Sequence, residues 1–237
     1  MITRGLDADR IRSVRLFKQV SDLHFRALLR SASVRHVPSR SILFKEGSRP
    51  NTLYALLSGA VELFSEHRDK RRTVAIIRSV KPCMLASLWR DRNPLSARTL
   101  ASSELLLVPA RLLHDLIETD AGFASAATAE LAGEWHDAVE QLKNDTLRTA
   151  GERLAYWLLR FDRDSGSAGQ FMLPCDKRTL ASHLGMAPEH LSRNLAALAP
   201  AGLLVRGRRV ALSNRQALAT AAGLRIGGSE DKTTIRG

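Results

Sequence analysis

Glu189, Ser192 and Arg193 are polar side chains that, at helical spacing, share one face opposite Leu191, Leu195 and Leu198. Such a set has defined partners in the major groove of B-DNA. An arginine donates two parallel hydrogen bonds to guanine O6 and N7, a glutamate accepts from a cytosine amino group, and a serine bonds either a base or a phosphate. The bland alternative is a solvated helix face with a Glu189–Arg193 pair one turn apart, worth about 0.2–0.5 kcal/mol. Arg178, His183, Arg206, Arg208 and Arg209 flank this set in sequence and are the expected phosphate contacts, which raise affinity without reading bases.

Two helices must position these groups. Asp176 suits an N-cap, and Gly185 suits the left-handed residue that closes a helix, so residues 176–185 predict a short first helix with Leu180, Ala181 and Leu184 on one face. Pro188 fits the first turn of a second helix, where its missing N–H costs nothing, and Leu191, Leu195 and Leu198 repeat at helical spacing behind it. A small Ala181 and Gly185 let the two helices cross closely, which is the helix-turn-helix pattern. Beyond it, residues 203–205 and 209–212 read as short strands around the basic turn Arg206-Gly207-Arg208, forming a wing.

The formal net charge is +12, with a sequence pI near 10.7, giving a positive field that attracts phosphate polyanions. From Asp145 onward there are 14 Lys/Arg against 8 Asp/Glu, half of the excess, so the charge is not confined to the helix-turn-helix half. No apolar run reaches the length of a membrane span, and residues 1–10 lack the apolar stretch of a secretory signal, so the chain is expected in the cytoplasm with no membrane partner. Cys83 and Cys175 are too few and too far apart for a zinc or cluster-binding run, and no metal site is expected. The phosphate-loop, dinucleotide, zinc-protease and serine-hydrolase patterns are all missing from the sequence, and nothing in it asks for an enzyme.

Residues 9–29 read as short helices. Between Ser33 and Pro109 the period changes to strand-like segments at 34–37, 42–44, 52–57, 60–64, 74–80 and 104–108, which predicts a small barrel or roll. A helical pattern follows at Leu112, Leu113, Leu116 and Ile117, then a long helix over about 121–144. On it Phe123, Ala127, Leu131, Trp135, Ala138 and Leu142 make a narrow, near-heptad stripe, with Glu130, Glu134, Asp137, Glu140 and Lys143 on the wet faces. The stripe predicts a two-helix seam between copies of the chain; the alternative is one helix lying on its own roll. Thr149-Ala-Gly-Glu152 is a capping-box pattern that opens the next helix through Leu154, Ala155, Trp157, Leu158 and Phe161, and residues 162–169 read as a loop.

This order of parts resembles the CRP/FNR family of bacterial transcription regulators, over roughly residues 16–218. The resemblance is carried by residues 147–159, by 180–198, and by the roll segments 42–47 and 52–59. It implies an α+β chain: an N-terminal cyclic-nucleotide-binding-type β-roll with leading helices (1–120), a long dimerisation helix (121–145), a C-terminal winged helix-turn-helix (146–226) and a flexible tail (227–237). Glu189, Ser192 and Arg193 look like the E-x-x-S-R pattern of the FNR-like and nitric-oxide-responsive branches, where those positions read half-sites of TTG type. By resemblance, the partners are double-stranded DNA, a second copy of the chain and RNA polymerase. Two departures stand out: Pro188 replaces the arginine of the cAMP-responsive branch, and Asn194 occupies a position usually apolar.

The resemblance also frames the effector. In cAMP-binding relatives, a glutamate accepts a ribose hydroxyl and an arginine about ten residues later neutralises the cyclic phosphate. Here Leu85 and Leu95 stand at those places, although Ser96 and Ala97 survive, so cAMP is disfavoured unless Arg90, Arg92 or Arg98 supplies the charge in another geometry. The iron–sulphur branch needs a cysteine cluster that this sequence lacks. Cys83 keeps a haem-thiolate reading open, but the accompanying histidine is replaced by Leu85, and a buried structural thiol is the default. The sequence leaves the cofactor unknown, with Cys83, Met84, Leu85, Trp89, Leu95 and Ser96 as the effector-pocket candidates.

Overall fold

The computed structural model describes residues 7–68, 70–78 and 80–224; the tail expected at 227–237 lies outside them. The chain divides into two compact units, residues 1–142 and 143–237.

In the first unit, α1 (Ala8–Arg12) is capped by Asp7, a 3-10 turn follows at Arg15–Phe17, and α2 (Asp22–Ser31) completes the leading helices. Eight strands come next: β1 (Ser33–Val37), β2 (Ile42–Phe44), β3 (Thr52–Ser58), β4 (Val61–His67), β5 (Lys70–Ile77), β6 (Lys81–Pro82), β7 (Ser96–Thr99) and β8 (Ser103–Pro109). They form two four-stranded antiparallel sheets, ordered β1-β8-β3-β6 and β2-β7-β4-β5, so the roll is built by long-range pairing. The expected strand at 74–80 is instead β5, which begins at Lys70, where four polar residues hide its period. The short β6 and the polar β7 (Ser-Ala-Arg-Thr) were not expected, because neither carries an apolar run.

Two apolar cores result. One lies between the sheets and contains Leu56, Val61, Leu63, Ile77, Cys83, Ala97 and Leu105. The other joins the sheet of β1, β8 and β3 to the helices, through Phe17, Phe25, Leu28, Leu85, Leu106, Leu113 and Leu116. Glu62 is fully buried in the second sheet, where it faces Arg98 across β4 and β7, accepts that guanidinium's Nε–H and takes the Thr73 hydroxyl.

After α3 (Ala110–Thr119) comes α4 (Ala121–Leu147), three residues longer than expected. Its origin is fixed by Asp120, whose carboxylate accepts the Ser21 N–H (3.0 Å), the Ser21 hydroxyl (2.7 Å), His24 Nδ1–H (2.8 Å) and the Phe123 N–H (2.9 Å). Burial alone would raise its pKa, but these hydrogen bonds outweigh burial and hold the group far below the usual carboxylate range. Gly122 is required at this origin, because a Cβ there would lie 2.0 Å from the Gln19 carbonyl oxygen.

The expected seam on α4 needs correction. Phe123 and Ala127 are fully buried in the chain's own helix-side core, with Phe123 stacked on Phe17, and Leu131 packs against the same core. Only Trp135 (72% exposed), Ala138 and Leu142 (63% exposed) present an uncovered apolar face. Nor are all the acidic residues free on the wet faces, since Glu134 accepts two backbone N–H groups of the roll, while Asp137 stays about half exposed beside Lys81 at 3.7 Å.

In the second unit, α5 (Ala150–Ser165) opens on the complete Thr149/Glu152 capping box and runs into the stretch expected as loop. Asp162 is therefore helical and buried, accepting the Gly169 N–H (2.7 Å), the Ser167 hydroxyl (2.9 Å) and Arg215 Nε–H (2.7 Å). Burial opposes ionisation of Asp162, but Arg215, Ser167 and Gly169 outweigh it and lower its pKa. β9 (Gln170–Met172), α6 (Lys177–His183), α7 (Pro188–Ala197), β10 (Leu203–Arg206), β11 (Arg209–Leu212) and α8 (Arg215–Ala221) complete the unit, with a three-stranded sheet β10-β11-β9. β9 and α8 were not expected. Among the described residues, no helix is long and apolar enough to cross a membrane.

Candidate nucleic-acid interface

The helix-turn-helix is fixed by local chemistry. Asp176 accepts the Thr179 N–H at 2.7 Å and so caps α6. At the other end, Gly185 adopts φ +65°, its N–H bonds to the Ser182 carbonyl, and the Met186 N–H bonds to the Ala181 carbonyl, the pairing of a Schellman turn. Pro188 then starts α7, which packs on α6; its Leu191 and Leu195 are buried, as are Leu180, Ala181 and the capping Leu184. Arg153 on α5 clamps the turn from behind, donating Nε–H to the Leu184 carbonyl (2.9 Å) and Nη1–H to the Arg148 carbonyl (2.7 Å). Sequence analysis did not single out Arg153, because nothing local signals that its partner lies thirty-one residues away.

The face of α7 opposite that core carries Glu189, His190, Ser192 and Arg193, all exposed. Among the described residues, neither Glu189 nor Arg193 has a hydrogen-bonding or ion-pairing side-chain partner, so the pair that defines a merely solvated face is not formed. The Ser192 hydroxyl donates back to the Pro188 carbonyl at 3.2 Å, and the residue stays exposed. Asn194 is half-buried and donates to the His190 carbonyl (2.9 Å), so this departure folds onto its own helix.

The phosphate-contact set divides. Arg178 on α6 and Arg206 and Arg209 on the wing are exposed, the last two paired across the tip where Gly207 takes φ +61°. Arg208 differs. Its Nε–H and Nη2–H both donate to the Leu173 carbonyl (3.1 and 2.6 Å), stapling the end of β9 to the wing. His183 is a correction too: it is buried, with its ring 6.5 Å from that of Trp157 in an edge-on contact, and does not face solvent.

In the first unit, the six effector-pocket candidates do not converge on one cavity. Cys83 is sealed in the inter-sheet core with Met84 and Leu95 packed against it, and burial pushes its thiol up to about 12. A protonated thiol closed off by the roll does not fit a haem ligand. Leu85 belongs to the helix-side core, the Ser96 hydroxyl accepts the Glu46 N–H (2.9 Å), and Trp89 is 39% exposed beside His114. Arg98 is committed to Glu62, and Arg92 donates to the Gly47 carbonyl at 3.1 Å.

The 3-10 turn Leu85–Trp89 holds a feature that sequence reasoning missed. Glu134 of α4 accepts the Leu85 N–H at 2.7 Å and the Ala86 N–H at 3.2 Å. Burial, opposed by these two bonds, leaves its pKa raised. The residue sits in a run of surface-type heptad charges, and only the tertiary contact singles it out.

The family model for a Crp-like helix-turn-helix domain matches residues 152–221, and that for a cyclic nucleotide-binding domain matches residues 34–120. The transcriptional activator protein FnrA of Stutzerimonas stutzeri is 25% identical over 187 residues, 76% of this chain and 77% of that one. The fumarate and nitrate reduction regulatory protein of Escherichia coli (strain K12) is 25% identical over 188 residues, 76% of this chain and 75% of its own. Among solved structures, FixK2 from Bradyrhizobium japonicum superposes with a TM-score of 0.75 at 25% identity, covering 83% of this chain and 99% of that one. The roll, the long helix, the winged helix-turn-helix and these likenesses agree: the chain belongs to the CRP/FNR family of DNA-binding transcription regulators.

Proposed function

We propose that this regulator works as a homodimer on a TTG…CAA-like palindrome, with α7 in the major groove and Glu189, Ser192 and Arg193 reading base edges. The observation that carries this reading is the exposure of Glu189 and Arg193, with no partner among the described residues, on a helix immobilised by the Schellman turn and by Arg153. Arg178, Arg206 and Arg209 supply phosphate contacts. The uncovered face of Trp135, Ala138 and Leu142 is the seam for a second copy, which supplies the second half-site. RNA polymerase is the partner that the family likeness implies, and the cytoplasm is the place of action; no enzymatic step is part of this reading.

Control by cAMP is not part of it either. Leu85 and Leu95 provide no group for a ribose or a cyclic phosphate, Arg98 is held by Glu62, and the Leu85 and Ala86 N–H groups already serve the Glu134 carboxylate. Fluorescence anisotropy with a labelled palindrome and a scrambled duplex, over a salt series, tests the reading. Preference for the palindrome with two chains per duplex supports it, and equal affinities for the two duplexes sink it.

A further inference from the structure

One cleft on the first unit, of about 460 Å³, opens between the β2–β3 connection, the 3-10 turn Leu85–Trp89 and the start of α3. Arg49, Arg90 and Arg111 line it with Trp89 and His114, and Asp91 is the one carboxylate in the lining. All three arginines are exposed, and among the described residues none has a hydrogen-bonding or ion-pairing side-chain partner. This contrasts with Arg12, Arg71, Arg98 and Arg215, each held on a carboxylate. The potential is reinforced from behind. Pro109 gives α3 no side-chain cap and its first turn has no acidic residue, so Arg111 adds a cation where the helix already presents its positive end. A bound anion relieves that crowding of like charge.

The aromatic wall is also built. His114 Nε2–H donates to the Leu88 carbonyl at 2.8 Å, which fixes the imidazole 5.7 Å from the Trp89 ring and leaves the indole 39% exposed to the cleft. The volume lies in the range of small-ligand sites, and guanidinium groups beside an open indole suit phosphate and a flat ring at once. We propose that this cleft binds a small nucleotide-type phosphate ester, its phosphates held by Arg49, Arg90 and Arg111 and its base on Trp89, with Asp91 accepting from a ring amino or ribose hydroxyl group. The site is separate from the Leu85 and Ala86 amides that Glu134 occupies, and it does not depend on how α7 reads DNA.

Isothermal titration calorimetry of the full chain at low salt, with ADP, pyrophosphate and adenosine as probes, tests the assignment. ADP is expected to bind with a submillimolar Kd, and Arg90→Glu and Arg111→Glu each to weaken ADP and pyrophosphate by about tenfold or more, with unchanged thermal unfolding. Trp89→Ala is expected to weaken ADP while leaving pyrophosphate as it was. Arg193→Ala and Arg206→Ala serve as controls and should leave ADP affinity untouched. The proposal is overturned by no ADP binding at millimolar concentration, by ADP affinity indifferent to Arg90→Glu and Arg111→Glu, by Trp89→Ala affecting both probes alike, or by loss of ADP binding in the α7 or wing variants. Binding of an acidic peptide without ADP equally overturns it, assigning the arginines to a protein partner.

Discussion

Glu134 reaches from the middle of α4 to the Leu85 amide, 2.7 Å away, so the long helix is tied to the turn that follows β6 by a carboxylate and not by apolar packing alone. Removing the acceptor strands the Leu85 N–H in a part-buried place and leaves the exposed Ala86 N–H to water. Glu134→Ala is therefore expected to lower stability by about 1–3 kcal/mol and to speed hydrogen exchange at Leu85 and Ala86. Unchanged protection of those two amides would show the tie to be ornamental.

Asp120 sets an acid limit on the first unit. Its folded pKa lies below the unfolded value, so its contribution to stability is complete above the ordinary carboxylate pKa of about 4 and drains away as the pH falls toward the folded value. Asp120→Asn should cost about 2 kcal/mol or more near neutral pH, and the gap from the unsubstituted chain should narrow below about pH 4. Denaturant unfolding at pH 7 and pH 3.5 measures both; a gap that is constant with pH contradicts the assignment.

Gly122 tolerates no side chain, because backbone atoms of Gln19 surround the place where a Cβ would stand. Gly122→Ala should destabilise by about 1–3 kcal/mol, whereas Gly133→Ala, on the same helix with open space at its Cβ, should stabilise slightly through helix propensity. Thermal unfolding of the two variants side by side separates the steric effect from the general effect of the substitution.

The arginines of the second unit should separate into three behaviours. Arg193→Ala is expected to erase about 1–3 kcal/mol of preference for the matching base pair. Arg206→Ala should weaken all duplexes alike and reduce the salt slope by about one. Arg208→Ala, by releasing the Leu173 carbonyl, should lower the unit's unfolding midpoint as well. Anisotropy on matched and mismatched duplexes, with thermal melts, distinguishes them; the same loss on every duplex for Arg193→Ala defeats its base-reading role.

Legibility in the sequence followed the range of each interaction. Asp176, Gly185, Pro188 and the Thr149/Glu152 box were readable because a cap or a turn closes within a few residues, and with the leucine spacing they were enough to define the helix-turn-helix. The period of α4 announced a buried stripe but not what buries it, and the answer changes along the helix, from the chain's own core at Phe123 and Ala127 to open surface at Trp135 and Leu142. His183, Arg208 and Glu134 misled for one common reason. Their chemistry is typical of a free surface group, and the partner that buries or occupies each is distant in sequence: Trp157 beside the buried His183, Leu173 for the exposed Arg208, and Leu85 for Glu134.

The two cysteines fall one in each compact unit, Cys83 at 2% exposure and Cys175 at 3%. Each is thereby a silent reporter of its own unit. A thiol-reactive dye added to the native protein meets neither sulfur, and under rising denaturant the order in which Cys83 and Cys175 become labelled ranks the two units by how readily each opens. The chain thus carries its own pair of clocks for asking whether the roll and the DNA-binding unit unfold as one body or as two.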